Sequence, residues 1–199
     1  LESFERVGLF TDHGPIVAVN RNASNPHYEP EAKGSAEIRK GDLVLIDLCA
    51  KLKQPGAVYY DITWTGYCGS SAPSVMNNVF DIVKGGRDAG VEKVRSSVAE
   101  NKPLCGFEVD DATRGYIAKH GYGEFFFHRT GHSIGEDVHG TGANMDNLET
   151  HDERKGVAGT CFSMEAGIYL AGFGIRSGVD VLVGGNAAGT RGEWLRRWG

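Results

Sequence analysis

The alternation of apolar and polar positions divides the chain into strands around a helical middle. Leu1, Phe4 and Val7 share one helical face, so the chain is expected to open in the last turns of a helix. Residues 15–19 read as a strand, and residues 20–30 as a turn-rich stretch with His27 between two prolines. In residues 43–52, Val44, Ile46, Leu48 and Ala50 alternate with Leu45, Asp47 and Cys49. Both faces are largely apolar, which predicts a buried strand with a carboxylate in its middle. After the turn Gln54-Pro55-Gly56, residues 57–67 form a second strand containing Asp61, and a hairpin of the two brings Asp47 and Asp61 side by side. Residues 70–100 carry Val75, Val79, Val83, Val91, Val94 and Val98 at helical spacing, with Gly85-Gly86 as a weak point. A shorter helix is predicted over 109–120, with Asp110 or Asp111 near its start and Gly121 closing it. Residues 141–156 form a polar loop whose charges (Glu149, Asp152, Glu153, Arg154, Lys155) are expected to be solvated. Residues 160–170, with the single acid Glu165, and 175–183 are again strand-like.

Composition bounds the function more than the fold. A chain of 199 residues without an internal repeat or a linker reads as one domain, with a divergent Gly/Ala/Arg-rich tail at 184–199. A net charge of −5 argues against nucleic acid or an anionic membrane as a main partner. No apolar run approaches the roughly 18 residues that span a bilayer, and no signal-peptide pattern opens the chain. Cys49, Cys68, Cys105 and Cys161 are scattered without a CxxC pair, as expected for reduced thiols in the cytoplasm.

The chemistry concentrates in residues 128–139, where His128, His132 and His139 lie among glycines that let the backbone bend and come close to a ligand. Imidazole is a metal ligand and also a general acid or base near neutral pH. Gly131-His132-Ser133-Ile134-Gly135 fits the GxSxG nucleophile elbow, but that motif needs a helix after the serine, and the residues that follow have no helical period. A metal reading uses more of the chain. Asp47, Asp61, His132 and Glu165 each sit in an otherwise apolar segment, where a carboxylate must be paired, protonated or metal-bound. Carboxylates with one imidazole suit Mn, Co, Zn or Fe better than Ca or Mg. Such a site acidifies bound water and polarises a carbonyl, as amide hydrolysis requires.

The ordered set Gly41-Asp42-x4-Asp47, Asp61-Ile62-Thr63, Gly131-His132-Ser133-Ile134-Gly135-x3-His139, Met164-Glu165-x-Gly167-Ile168-Tyr169 and Gly174-Ile175-Arg176 resembles the pita-bread metallopeptidases. That family includes Xaa-Pro aminopeptidases, prolidases and methionine aminopeptidases, and the resemblance runs from about Pro15 to Val183. His27, His128 and Arg176 resemble the branch that cleaves before proline. The resemblance implies an α+β fold: curved antiparallel sheets in two pseudo-symmetric halves, helices packed outside, and one or two divalent ions (Mn, Co or Zn) in the hollow. Asp61, His132 and Glu165 would hold the first metal, and Asp47 would chelate the second with Asp61 bridging. Glu165 would shuttle the proton of the attacking water, and His139 would stabilise the tetrahedral intermediate. His27, His128, His139 and Arg176 would contact a peptide or dipeptide with proline in second position. Many members are homodimers.

Three departures bear on that expectation. The family's fifth ligand, a bridging glutamate shortly after Gly-Ile-Arg, is Gly178 here, with Asp180 two residues on. The usual Glu-Pro-Gly is Glu165-Ala166-Gly167, and Gly140 follows His139 where an acid is common. The first helices of the family's domain are expected to be missing. Two further functions therefore stand beside the exopeptidase: a catalytically impaired domain that binds peptide or protein, and a metal-free, creatinase-like C–N hydrolase.

Overall fold

The computed structural model describes residues 1–184 and a strand at Leu195–Trp198. The strands are β1 (Leu9–Phe10), β2 (Ile16–Val19), β3 (Leu43–Leu52), β4 (Tyr60–Tyr67), β5 (Ser133–Ile134), β6 (Cys161–Leu170), β7 (Phe173–Val183) and β8 (Leu195–Trp198). They form one antiparallel sheet in the order β1-β3-β4-β7-β6-β5, with β2 also on β3 and β8 on β7. The helices are α1 (Glu2–Arg6), α2 (Ser74–Ala99) and α3 (Gly106–Lys119). Apart from β8, the tail beyond Gly184 lies outside the described residues.

β3 occupies the span its alternation predicts, but β4 starts at Tyr60 rather than at 57, because the Tyr59 N–H donates to the Gly135 carbonyl instead of joining the hairpin ladder. The register pairs Asp47 with Thr63 and Cys49 with Asp61. The two acids therefore share a face two register pairs apart, on a diagonal, rather than standing side by side. Burial of β3 on both faces is also corrected. α2 packs on β6 and β7, and on the outer face of the β3–β4 hairpin Ile46 is 38% and Trp64 64% exposed. The hairpin joins the β6–β7 pair through one register match, Thr63 opposite Gly178.

α1 buries none of its residues, so its apolar stripe is not a core face. α2 runs unbroken through Gly85 and Gly86. A Cβ on Gly86 would sit 2.8 Å from Ile117 Cγ1, and one on Gly90 2.3 Å from Met164 Cε. The missing side chains let α2 lie close against α3 and β6, and that packing outweighs the helix-propensity cost of about 1 kcal/mol per glycine. Val79, Val83, Ile117, Phe126, Ile168 and Ile175 fill one apolar cluster, and Val91, Val94, Val109, Met164 and Val181 fill another. α3 begins at Gly106, earlier than its pattern predicts, because the Glu108 carboxylate accepts the Cys105 N–H and caps the first turn. Among the described residues no helix is long and apolar enough to cross a membrane.

Candidate metal centre

Asp61 on β4, Glu165 on β6 and His132 just before β5 reach one point inside the sheet. The histidine arrives there because residues 130–132 run along β6. The Glu165 N–H donates to the Thr130 carbonyl at 2.6 Å, and the Ser163 N–H to the His132 carbonyl at 2.9 Å. Only glycine fits between them, since a Cβ on Gly131 would lie 1.8 Å from the Ser163 carbonyl oxygen. The segment is fixed from behind by Asp110. This fully buried carboxylate accepts the Thr130 N–H at 2.9 Å and its hydroxyl at 2.7 Å, and pairs with Arg114. Arg114 in turn donates to the carbonyls of Phe126 and His128.

The Nδ1–H of His132 donates to the Ser133 carbonyl at 3.1 Å, which turns Nε2 toward Asp61 Oδ2 at 3.3 Å and Glu165 Oε1 at 3.2 Å. Glu165 Oε1 is buried without a hydrogen-bond partner. Three electron-pair donors thus converge within 4.8 Å, an arrangement stable only with a positive charge between them. Without a metal that charge falls to the imidazole. Burial opposes its protonation, but the Asp61 and Glu165 carboxylates beside it outweigh burial and push the His132 pKa up to about 11. Glu165 answers in the opposite sense: burial raises it, and His132 and Arg176 more than compensate, holding it well below the usual carboxylate range. Asp61 is raised, by burial and then by the Glu165 charge. One imidazole and two carboxylates around an unsatisfied oxygen fit a divalent metal.

Asp47 lies apart from this group. Arg176 Nη2 donates to its Oδ2 at 2.5 Å, while burial raises its pKa. Arg176 is itself buried, and its remaining N–H groups turn into the protein, to Thr63 Oγ1, the Pro26 carbonyl and the Tyr169 hydroxyl. The Tyr169 hydroxyl donates to His128 Nε2 at 2.6 Å, and His128 Nδ1–H donates to the Arg129 carbonyl at 2.7 Å. Burial, and then the Arg176 charge, lower the His128 pKa to about 4, so its imidazole is neutral. At Gly178, opposite Glu165, β4 lies so close that a Cβ would meet Thr63 N and Oγ1 at 2.9 Å. Asp180, two pairs further along, accepts the Asp61 N–H at 3.0 Å, and its Oδ1 is buried without a partner.

The donors open into a cavity of about 970 Å³, also lined by His13, His27, Asp47, Cys49, His128, His139 and Arg176. His139 leans on the His132 ring, 4.3 Å between centroids. Burial and then the His132 charge lower its pKa. His27 is exposed at the cavity wall. Ser133 is no nucleophile: it is buried in β5, and its Oγ accepts the Gly142 N–H at 3.0 Å. Asp152 is likewise not solvated. Its carboxylate is 4% exposed, accepts the Asn144 N–H at 2.8 Å, and holds the loop behind β5. Asp110 and Asp152 support the site and were missed as such in the sequence. For Asp110, the available signal was Arg114 at i+4.

This geometry agrees with a match of residues 2–184 to the model of Metallopeptidase family M24. The chain belongs to that family. Among its relatives, an Xaa-Pro dipeptidase from Lactobacillus helveticus is 30% identical over 81% of this chain and 39% of its own length. An Xaa-Pro dipeptidase from Pyrococcus horikoshii is 31% identical over 80% of this chain and 40% of its own. Among solved structures, a dipeptidase from Pyrococcus horikoshii superposes with a TM-score of 0.73 at 33% identity, over 93% of this chain and 46% of the other. A dipeptidase from Mycobacterium ulcerans does so at 0.76 and 28%, over 92% and 45%. The fold is the family's pita-bread fold. The chain spans about two fifths of the length of the curated relatives it matches.

Proposed function

We propose that this metallopeptidase domain is a metal-dependent exopeptidase that hydrolyses the bond before proline in peptides or dipeptides. The observation that carries the reading is the convergence of His132 Nε2, Asp61 Oδ2 and the unpartnered Glu165 Oε1 on one point of the cavity. These three residues would hold one divalent ion tightly, of the Mn, Co or Zn class. A second position at Asp47 would be weaker, because Arg176 already engages one of its oxygens and Gly178 brings no carboxylate. When bound, the ion supplies an acidified water and a polarised peptide carbonyl.

The chain's own residues do the rest. Glu165 takes the proton of the attacking water and passes it to the departing proline nitrogen. His139, on the cavity side of His132, donates to the oxyanion that forms at the carbonyl, help commonly worth roughly 3 kcal/mol. His27 and the neutral His128 line the wall that receives the substrate. Arg176 acts on substrate indirectly, by holding Asp47 and the Pro26 carbonyl in register. The four free thiols fit a cytoplasmic protein.

A second reading, a pita-bread domain that binds peptide without cleaving it, is favoured by Gly178 and the Thr63 contact that fills its place. The metal-free, creatinase-like reading has no comparable support, because it gives no role to the convergence of Asp61 and Glu165 on His132. Hydrolysis of Xaa-Pro dipeptides by stripped protein reloaded with Mn or Co decides between them. Turnover abolished by chelation and by Glu165→Gln supports the peptidase. Tight dipeptide binding with no turnover under any metal supports the binding domain.

A further inference from the structure

Two of the three converging donors are tied to one strand through their main chains. The Glu165 N–H bonds the Thr130 carbonyl, and the His132 N–H donates to Ser163 Oγ at 3.0 Å, so both residues are fixed to β6. Asp61 comes from the other hairpin. Its place relative to them depends on the seam between β4 and β7, where the strand register holds at one pair, Thr63 opposite Gly178. From Asp180 on, that edge of β7 pairs with β8 instead.

Side chains stitch the seam on either side of that pair. On one side the Thr65 hydroxyl donates to the Arg176 carbonyl at 2.8 Å. On the other, next to the donors, Asp180 Oδ2 accepts the Asp61 N–H at 3.0 Å. This N–H points away from Cys49, its neighbour in the β3–β4 register, and meets a carboxylate where a continued ladder would supply a carbonyl. Asp180 is 2% exposed, and its Oδ1 has no partner. Among the described residues, the Asp61 N–H is thus the one hydrogen bond given to this carboxylate. A buried and half-satisfied carboxylate costs stability that a smaller or apolar side chain would avoid, so packing alone does not account for it.

We propose that Asp180 is a positioning residue of the metal centre. It holds the main chain of Asp61 at the point where β4 leaves β7, and so fixes the Asp61 carboxylate against His132 and Glu165. The role deepens the peptidase reading and rests on it for the use of the bound ion. Side-chain direction in a strand follows from the backbone, so a shift of the Asp61 main chain carries its carboxylate with it. Gly178 brings no carboxylate from β7, which leaves the ion dependent on where Asp61 is held.

Asp180→Val removes the acceptor and keeps a side chain suited to a strand, whereas Asp180→Asn keeps an acceptor and removes the charge. Manganese affinity of the stripped proteins is read from the paramagnetic resonance of the free ion, and amide exchange of the metal-free proteins is read residue by residue. Affinity is expected to fall roughly 10–100-fold in the valine variant and to stay within about threefold of the wild type in the asparagine variant. The Asp61 amide should exchange roughly tenfold faster or more in the valine variant, while the β3–β4 ladder stays protected, which a general loss of stability would not produce. Equal affinity in the wild type and Asp180→Val overturns the role, as does an unchanged Asp61 amide. An asparagine variant as weak as the valine one overturns positioning in favour of charge alone. Xaa-Pro turnover is measured beside these. Manganese bound without turnover removes the peptidase reading and leaves the role of Asp180 standing, and a wild type that takes no manganese overturns both.

Discussion

Gly178 faces Thr63 across the seam between β4 and β7, and a Cβ at residue 178 would meet the Thr63 amide nitrogen at 2.9 Å. The strands are closed over the place where the family's fifth ligand would branch off. Restoring that ligand is therefore not a simple repair. Gly178→Glu is expected to force the strands apart and lower stability by about 1–3 kcal/mol, as overpacked cores do. Its metal content should not rise. Thermal unfolding together with elemental analysis checks both parts.

Glu165→Gln keeps the size of the side chain and removes the proton acceptor. Xaa-Pro hydrolysis should fall by roughly 10²–10⁴-fold, the usual worth of a positioned general base. Glu165 also belongs to the ligand group, so metal content must be measured beside the rate. A variant that binds metal and keeps full turnover would remove Glu165 from the proton path.

Asp110 is fully buried, paired with Arg114, and bonded to both polar groups of Thr130. Asp110→Ala leaves the arginine without its partner and frees the start of the His132 segment. A loss of about 3 kcal/mol is expected in denaturant unfolding, in line with broken buried pairs. Metal affinity should fall with it, although residue 110 touches no ligand.

His128 gives stability a pH dependence of definite sign. Its folded pKa, about 4, lies below the ordinary histidine value of 6.5, so the unfolded chain binds the proton more readily. The contribution is complete above pH 6.5 and is lost as pH falls toward 4, by up to about 3 kcal/mol. Urea midpoints measured across that window should drop less steeply for His128→Gln than for the wild type.

The strands and the donors were legible in the sequence for the same reason. Asp47, Asp61 and Glu165 interrupt apolar alternation, and a carboxylate in such a setting needs a partner. Which partner each acid takes was not legible. Arg176 reaches Asp47 across 129 positions and Asp110 reaches Thr130 across 20, so only the folded sheet shows that Asp47 is held by an arginine while Asp61 faces His132. The glycines of α2 misled for a related reason. Their propensity cost is local and visible, whereas the helix contact that offsets it at Gly86 and Gly90 comes from α3 and β6. Asp152 looked solvated within its run of charges, and its burial follows from Asn144 and the loop it closes.

The most direct test of the metal centre is manganese content per chain after stripping and reloading, compared between the wild type and His132→Ala. Manganese is among the ions that carboxylate donors suit. One tightly held manganese, absent from the variant, is the expected result. No manganese in the wild type, or an equal amount in both proteins, would contradict a metal centre built on Asp61, His132 and Glu165.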